Sequence, residues 1–286
     1  MEKNPTTERM QCMEIWGGNA RIDRQFRTPG LHLWLHSHPS EGAVSGGDVY
    51  YVSSCASGRI TRLLLADVSG HGEHVAGVAT GLRDLMRQNI NLFDQRQFVR
   101  AMNRQFSELA REQHFATAVV CTFFAPNQSL QFSNAGHPDA LLYRAKTGRW
   151  MLARELAVGA PTEGLADVPL GVAGSADYTQ CQTRLAAGDM VLCVSDAFTE
   201  CRDRDGKLLG PEGLLRIVGE LDTSRPANLL AQLRSQLTEL SSDNLRLDDA
   251  TAILLQADGS HVTFMDNLLA LYHYVQPVRD RTELVG

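Results

Sequence analysis

The chain has 286 residues, 43% hydrophobic and 21% charged, an ordinary globular composition with enough apolar material to bury one large core. Its formal net charge of −6, without any run of Lys or Arg, argues against a nucleic-acid partner, whose phosphates need clustered cations. No window approaches the ~20 consecutive apolar residues of a membrane-spanning helix, and the opening MEKNPTTERMQ is too polar for a signal peptide, so no membrane partner and a cytoplasmic location are expected.

In chain order, residues 1–14 are polar and read as a flexible N-terminus. Residues 15–257 hold no internal repeat, low-complexity tract or linker, which marks one compact domain. Its WGGN segment, 16–19, reads as a turn with a buried Trp16. Strand-like runs follow at 32–35, 49–53, 61–66, 116–124, 130–133, 141–144, 190–195 and 252–256. His32, Trp34, His36 and His38 alternate on the first of these. Neighbours on one strand face stand about 6 to 7 Å apart, too far for four side chains to converge on a zinc ion, so a polar outer sheet face is expected. Many short strands close in sequence predict antiparallel pairing, and residues 125–128 are few enough to close a hairpin.

Helical spacing appears at Val75, Val78, Ala79, Leu82, Leu85 and Met86. It appears again at Phe98, Met102, Phe106 and Leu109, after Asp94 as N-cap with Gln97 three residues on. Gly77 and Gly81 on the first helix read as close-packing positions. A third helix opens near Pro226 and buries Leu229, Leu230, Leu233, Leu237 and Leu240. Residues 258–286 read as a C-terminal extension with a short amphipathic helix at 264–274. The fold class is α+β, mainly antiparallel sheet with helices on its outer faces. The six cysteines, Cys12, Cys55, Cys121, Cys181, Cys193 and Cys201, contain no C-x-x-C pair and several lie in apolar runs, so no disulfides are expected.

Aspartates recur at the tips of apolar strands: Asp67 after Leu63–Ala66, Asp196 after 190–195, Asp248 and Asp249 just before 252–255, and Asp48 after Ser45-Gly46-Gly47. Singly, each is better read as a cap or a turn opener. Together they are what a hard divalent cation such as Mg²⁺ or Mn²⁺ requires, because such ions take oxygen ligands. Gly46, Gly47, Gly70 and Gly72 would allow the close backbone approach that ion-binding loops use.

The motifs SGGDVYY (45–51), ADVSGHG (66–72), FATAVV (115–120), SNAGHP (133–138), PLGV (169–172), SDAFTE (195–200) and DDAT (248–251) resemble those of the PPM-type, protein phosphatase 2C-like, metal-dependent serine/threonine phosphatases, in the family's order. More narrowly, they are similar to the bacterial branch that includes the SpoIIE and RsbU phosphatases. The resemblance covers roughly residues 40–256. It implies an α-β-β-α sandwich with a two-metal site, Mn²⁺ or Mg²⁺, at one end of the sheets. Asp67 would bridge the ions and the Val68 carbonyl would bind one of them. Asp196 and Asp248 would hold the second ion and Asp48 the first, directly or through water. Asp249, Glu200 and His71 are possible supporting groups.

Three positions depart from the family pattern: Ala197 where Gly is usual, Tyr51 where a second Asp is frequent, and WGGN itself. His71 and His137 could donate a proton to a leaving oxygen, but loop-ordering hydrogen bonds are the simpler role for both. The function implied is hydrolysis of phosphoserine or phosphothreonine by a hydroxide generated between the cations, with no covalent phosphoenzyme. The implied substrate is a phosphorylated protein, in particular a STAS-type anti-anti-sigma regulator in a partner-switching pathway. Activation is expected through a partner, a homodimer interface or metal supply. Competing readings are a pseudophosphatase that binds its partner without turnover, and a hydrolase of small phosphoesters.

Overall fold

The computed structural model describes residues 8–10, 14–55, 58–70, 73–110, 114–156, 166–260 and 279–280. The chain runs β1 (Glu8–Arg9), β2 (Glu14–Ala20), β3 (Ile22–Thr28), β4 (Leu31–His38), β5 (Ser45–Cys55), β6 (Ile60–Val68), α1 (Glu73–Gln88), α2 (Gln95–Ala110), β7 (Ala116–Phe124), β8 (Ser129–Ala135), β9 (Leu141–Arg144) and β10 (Arg149–Leu152). After a 3-10 turn at Ala153–Leu156 come β11 (Cys181–Arg184), β12 (Met190–Val194), α3 (Asp196–Thr199), α4 (Gly210–Gly219), α5 (Pro226–Leu240), β13 (Ala250–Ala257) and β14 (Arg279–Asp280).

The strands form two sheets, ordered β1-β3-β4-β13-β12-β9-β10 and β11-β8-β7-β6-β5-β2-β14. Only the short pairings β1–β3 and β14–β2 are parallel among the named strands. Period-two alternation builds three apolar layers. Leu33, Leu35, Val52, Leu65, Val119 and Ile253 are among those that meet between the sheets. Val49, Tyr51, Leu64 and Val120 face outward under α1 and α2, against Leu82, Phe98 and Phe106. Trp34, Leu192 and Leu254 face the opposite way, under α4 and α5, against Leu214, Leu229 and Leu233. The α-β-β-α sandwich expected from the motifs is therefore the fold.

Several local expectations hold. Asp94 caps α2 by accepting a 2.8 Å bond from the Gln97 amide. The hairpin β7–β8 closes over residues 125–128, with Phe124 opposite Ser129. Gly81 packs α1 on α2, since a Cβ there would lie 2.6 Å from Leu109 Cδ2, whereas Gly77 faces open space. Among the described residues, no helix is long and apolar enough to cross a membrane. The amphipathic stretch expected at 264–274 lies outside the described residues.

Two expectations are corrected. WGGN is not a turn but the middle of β2, where Gly17 and Gly18 pair with Tyr51 and Tyr50. Glycine suits the position because a Cβ on Gly17 would meet the Arg83 stem of α1 and the Tyr50 carbonyl, each at 3.3 Å. The face carrying Trp34 and His36 is not an outer polar surface either. It lies under α5, whose Arg234 guanidinium rests on the His36 ring, and both Trp34 and His36 are buried.

Candidate active site

Six strands share one sequence habit: the apolar run on their inter-sheet face gives way to a polar residue toward one and the same end of the sandwich. β4 reads Leu31, Leu33, Leu35, then Ser37, and β6 reads Leu63, Leu65, then Asp67. In reverse, β5 reads Val52, Tyr50, then Asp48; β7 reads Phe123, Cys121, Val119, then Thr117; β13 reads Leu255, Ile253, then Thr251. β12 reads Val191, Cys193, and Ser195 follows it. Antiparallel pairing gathers these polar ends at one end of the sandwich. Asp48 stands opposite Asp67, Asp67 opposite Thr117, and Thr251 opposite Ser37. Ser195 joins the group because its hydroxyl accepts the Thr251 amide at 3.0 Å and donates to the Asp249 carbonyl at 3.1 Å.

The carboxylates of this end act on one another. Asp48 is 2% exposed, and its Oδ2 has no hydrogen-bond partner among the described residues. Burial first, and the facing charge of Asp67 second, push its carboxyl well above the usual range, while the Thr251 and Ser195 hydroxyls pull it down. Asp67 is pushed up to about 7 by burial and then by the charges of Asp196, Asp248, Asp249 and Glu200. Asp196 is pushed up to about 6 by burial, then by Asp248 and Glu200. Acids from four separate segments thus share one electrostatic neighbourhood.

Local structure sets each acid in place. Asp196 opens α3, and the Glu200 amide closes that single turn on the Asp196 carbonyl at 2.7 Å. Ala197 sits inside the helix, outside the left-handed region, so the methyl group it carries in place of Gly adds no backbone strain. Tyr51 points to the opposite face of β5 from Asp48, into the core under α1 and α2. Asp249 clamps the glycine loop: Oδ1 accepts from the Ser40 amide at 2.8 Å and Oδ2 from the Gly47 amide at 2.6 Å. A Cβ on Gly46 would fall 2.0 Å from Asp249 Oδ2. One on Gly47 would fall 2.9 Å from the Val68 carbonyl oxygen and 3.1 Å from Asp67 Oδ1. The Val68 carbonyl and the Asp67 carboxylate therefore aim at a common point that only glycine leaves open. Asp248 Oδ1 accepts the Asp249 amide at 2.8 Å, fixing the turn ahead of β13.

Asn19 was not foreseen as part of this site. The β2–β5 register slips between Gly18 and Ala20, a bulge, and from it Asn19 Nδ2 donates to the Gly46 carbonyl at 3.1 Å. Ser195, Thr251 and Ser37 were passed over too, although the break in period-two apolarity marks each of them in the sequence. His71 lies outside the described residues. His137 is buried, with Nδ1 2.8 Å from Thr117 Oγ1, and burial drops its imidazole to about 3, so it stays neutral near pH 7.

The donor set suits a hard divalent cation: oxygens only, crowded carboxylates raised in pKa, and an orphaned buried oxygen on Asp48. Among the described residues, no three His, Cys, Asp or Glu side chains already close on a single point at bonding distance. Ions would have to draw the carboxylates together.

Two apposed, mainly antiparallel sheets with helices outside and a carboxylate cluster at one end define the class of the PP2C-type phosphatase domain. Residues 57–258 match the sequence model of the Stage II sporulation protein E (SpoIIE) family, and the chain belongs to that family. It is similar to the phosphoserine phosphatase RsbU of Bacillus subtilis (strain 168), 26% identical over 160 residues, which are 56% of this chain and 44% of that protein. The match thus spans less than half the length of this curated relative. Among solved structures, the RsbU and RsbW domains of Rv1364c from Mycobacterium tuberculosis superpose with a TM-score of 0.64 at 22% identity, covering 84% of this chain and 63% of that one. The PP2C phosphatase domain with a regulatory fragment of SpoIIE from Bacillus subtilis gives 0.64 at 16%, covering 86% and 64%. RsbX in complex with magnesium gives 0.58 at 15%, covering 82% and 99%. At these identities the structural likeness is one of fold.

Proposed function

We propose that the chain is a metal-dependent protein serine/threonine phosphatase that hydrolyses phosphoserine or phosphothreonine. The observation that carries this reading is the meeting of Asp48, Asp67, Asp196 and Asp248, four acids from distant segments, with their charges mutually unfavourable until cations arrive. In this reading Asp67, Asp196, Asp248, Asp48 and the Val68 carbonyl hold two Mn²⁺ or Mg²⁺ ions. Such ions, when bound, supply a water activated near neutral pH and neutralise charge on the phosphoryl group.

The protein's own residues do the positioning. The Thr251 and Ser195 hydroxyls of the opposite sheet favour the ionised form of Asp48, Asp249 holds the glycine loop against the acids, and Asn19 donates to that loop at the Gly46 carbonyl. Cys201, five residues from Asp196, does not compete as nucleophile: its thiol donates to the Ala197 carbonyl at 3.1 Å and is pushed up to about 12 by burial. Neutral His137 has no ready proton for a leaving group near pH 7.

Membership of the SpoIIE family and the likeness to RsbU support a phosphorylated regulator protein of the STAS anti-anti-sigma kind as substrate, and with it a cytoplasmic site of action. The motives for a binding-only role lose weight, because Ala197 is unstrained and Tyr51 faces away from the acids. The test is phosphate release from a phosphorylated STAS-domain protein with Mn²⁺, wild type against Asp67→Asn. Release by the wild type and its collapse in the variant are expected; equal rates would sink the reading.

A further inference from the structure

His137 stands at the acid end of the sandwich, in contact with both sheets. Its Nδ1 is 2.8 Å from the Thr117 hydroxyl on β7, and Thr117 is the residue opposite Asp67. From the other sheet, the Val194 carbonyl at the end of β12 acts on the ring as an acceptor, and Asp196 follows two residues later. Nε2 is shut off from water and makes no full hydrogen bond among the described residues, so the contact with Val194 is a loose one. A carbonyl can only accept, so the neutral ring keeps its one hydrogen on Nε2 and accepts the Thr117 hydroxyl at Nδ1.

A tight turn aims this ring. The His137 amide donates to Asn134 Oδ1 at 2.7 Å, and Asn134 Nδ2 donates back to the His137 carbonyl at 2.8 Å. Gly136 takes a left-handed φ of 69° and bridges to Ala118, and a Cβ on it would fall 2.8 Å from Pro169 Cγ. Farther along the seam, apolar side chains such as Val119 and Cys193 set the distance between the sheets. At the acid end that packing is gone, and the charge that raises Asp67 most is that of Asp196, carried by the opposite sheet. The two acids therefore push their sheets apart in the metal-free chain. Two ties bracket Asp67 against that push. On the β5 side Asp48 meets the Thr251 and Ser195 hydroxyls, and on the β7 side Thr117 reaches β12 through His137.

We infer that His137 is a positioning residue for the phosphatase reaction, a buried imidazole strut that holds Asp67 of one sheet and Asp196 of the other at a spacing a divalent cation can close. The inference rests on the metal-dependent reading above. His137 touches neither the ion nor the substrate in this role; it acts through Thr117 and the end of β12. Residues that orient metal-binding side chains without touching the ion cost about 10- to 100-fold in affinity or activity when replaced. A ring that merely filled space would be exchanged for another ring at no cost to metal binding.

The test is Mn²⁺ binding by titration calorimetry on the full chain, as wild type, His137→Phe, Thr117→Val and the double variant, at a temperature where each is folded by circular dichroism. Phe keeps a planar ring and Val keeps the branched shape of Thr, so each substitution removes the bond with little change in volume. Each is expected to weaken Mn²⁺ binding by about tenfold. The double variant should lose no more than the worse single one, because both act through one bond. In phosphate release, the deficit of each variant should shrink as Mn²⁺ is raised. Wild-type affinity in the folded variants, or a deficit that ignores Mn²⁺, overturns the strut even where the melting temperature falls. Losses that add in the double variant overturn its path through Thr117. Should His137→Phe not fold, half-buried Thr117→Val carries the same outcomes by itself. A wild-type chain that binds no Mn²⁺ overturns the metal-dependent reading, and the strut with it.

Discussion

Asp48 and Asp67 face each other across neighbouring antiparallel strands β5 and β6, two carboxylates in direct register at the polar end of an otherwise apolar seam. The charge of Asp67 adds to the cost of ionising Asp48, while Asp67 is itself raised by burial and by Asp196, Asp248, Asp249 and Glu200. Asp67 has a folded pKa pushed up to about 7 against an ordinary value of 3.8, so its contribution to stability is fully present below about 4 and is lost as pH rises through 7. Removing the charge in the metal-free protein should therefore stabilise it. Asp67→Asn is expected to melt higher than wild type at pH 8, by on the order of 2 kcal/mol after allowing for partial solvent access, with the gain shrinking to nothing by about pH 4. Comparing the two proteins cancels the buried histidines, whose depressed pKa values act in the opposite direction. Thermal melts in chelator across that range check it, and a variant less stable at pH 8 would contradict the electrostatic account.

Added Mn²⁺ should reverse that order. A cation that binds only the folded state stabilises it in proportion to affinity and concentration, and the wild type has the full set of acids. Millimolar Mn²⁺ is expected to raise the wild-type melting temperature more at pH 8 than at pH 6, because binding must displace protons from Asp67 and Asp196. Equal shifts at the two pH values would separate these acids from metal binding.

Activity should grade with position. Asp196→Asn and Asp248→Asn each remove one oxygen donor at the rim, so phosphate release should fall about 10- to 100-fold at low Mn²⁺ and recover partly in excess metal. Asp67→Asn, at the centre of the cluster, should lose at least as much and recover little. Manganese titrations of all three variants distinguish these outcomes.

Gly46 offers a steric test of the clamp. A methyl group there would fall 2.0 Å from Asp249 Oδ2, while that carboxylate is fixed by the Ser40 and Gly47 amides. Gly46→Ala should destabilise the protein by about 1–3 kcal/mol and cut activity at least tenfold by displacing the loop before Asp48. Chemical denaturation and phosphate release measure both, and a wild-type-like variant would show that the loop is not held this way.

Much of this was legible from the residues because the strands that build the site are long and strongly patterned. Val49, Leu64 and Val120 lie where their alternation says, and Asp67 stands near the tip of β6 as expected, whereas β5 begins at Ser45 and so holds Asp48 inside the strand, opposite Asp67. The misses are instructive. The strand β2 was hidden because Gly17 and Gly18 carry turn propensity that pairing with β5 overrides. Asn19 was invisible because a β-bulge, not a motif, aims its amide at Gly46. His36 looked like surface because nothing in β4 announces that Arg234, some two hundred residues on, lies across it.

Ala197 decides how far the missing glycine matters. It occupies the second position of α3, directly after Asp196, with helical geometry and 6% exposure. Glycine is needed only where φ is positive or where a methyl group would collide, and the left-handed non-glycine residues among those described are Gln128, Asp167 and Leu245. Restoring the family glycine should therefore confer no gain in turnover. It should instead loosen the single turn that presents Asp196, because glycine in a helix costs up to about 1 kcal/mol relative to alanine. Ala197→Gly is expected to show a small drop in melting temperature, and a Mn²⁺ requirement shifted upward if it shifts at all. A severalfold rise in phosphate release would show instead that the alanine holds Asp196 in a poor position and that the wild-type chain is an impaired enzyme.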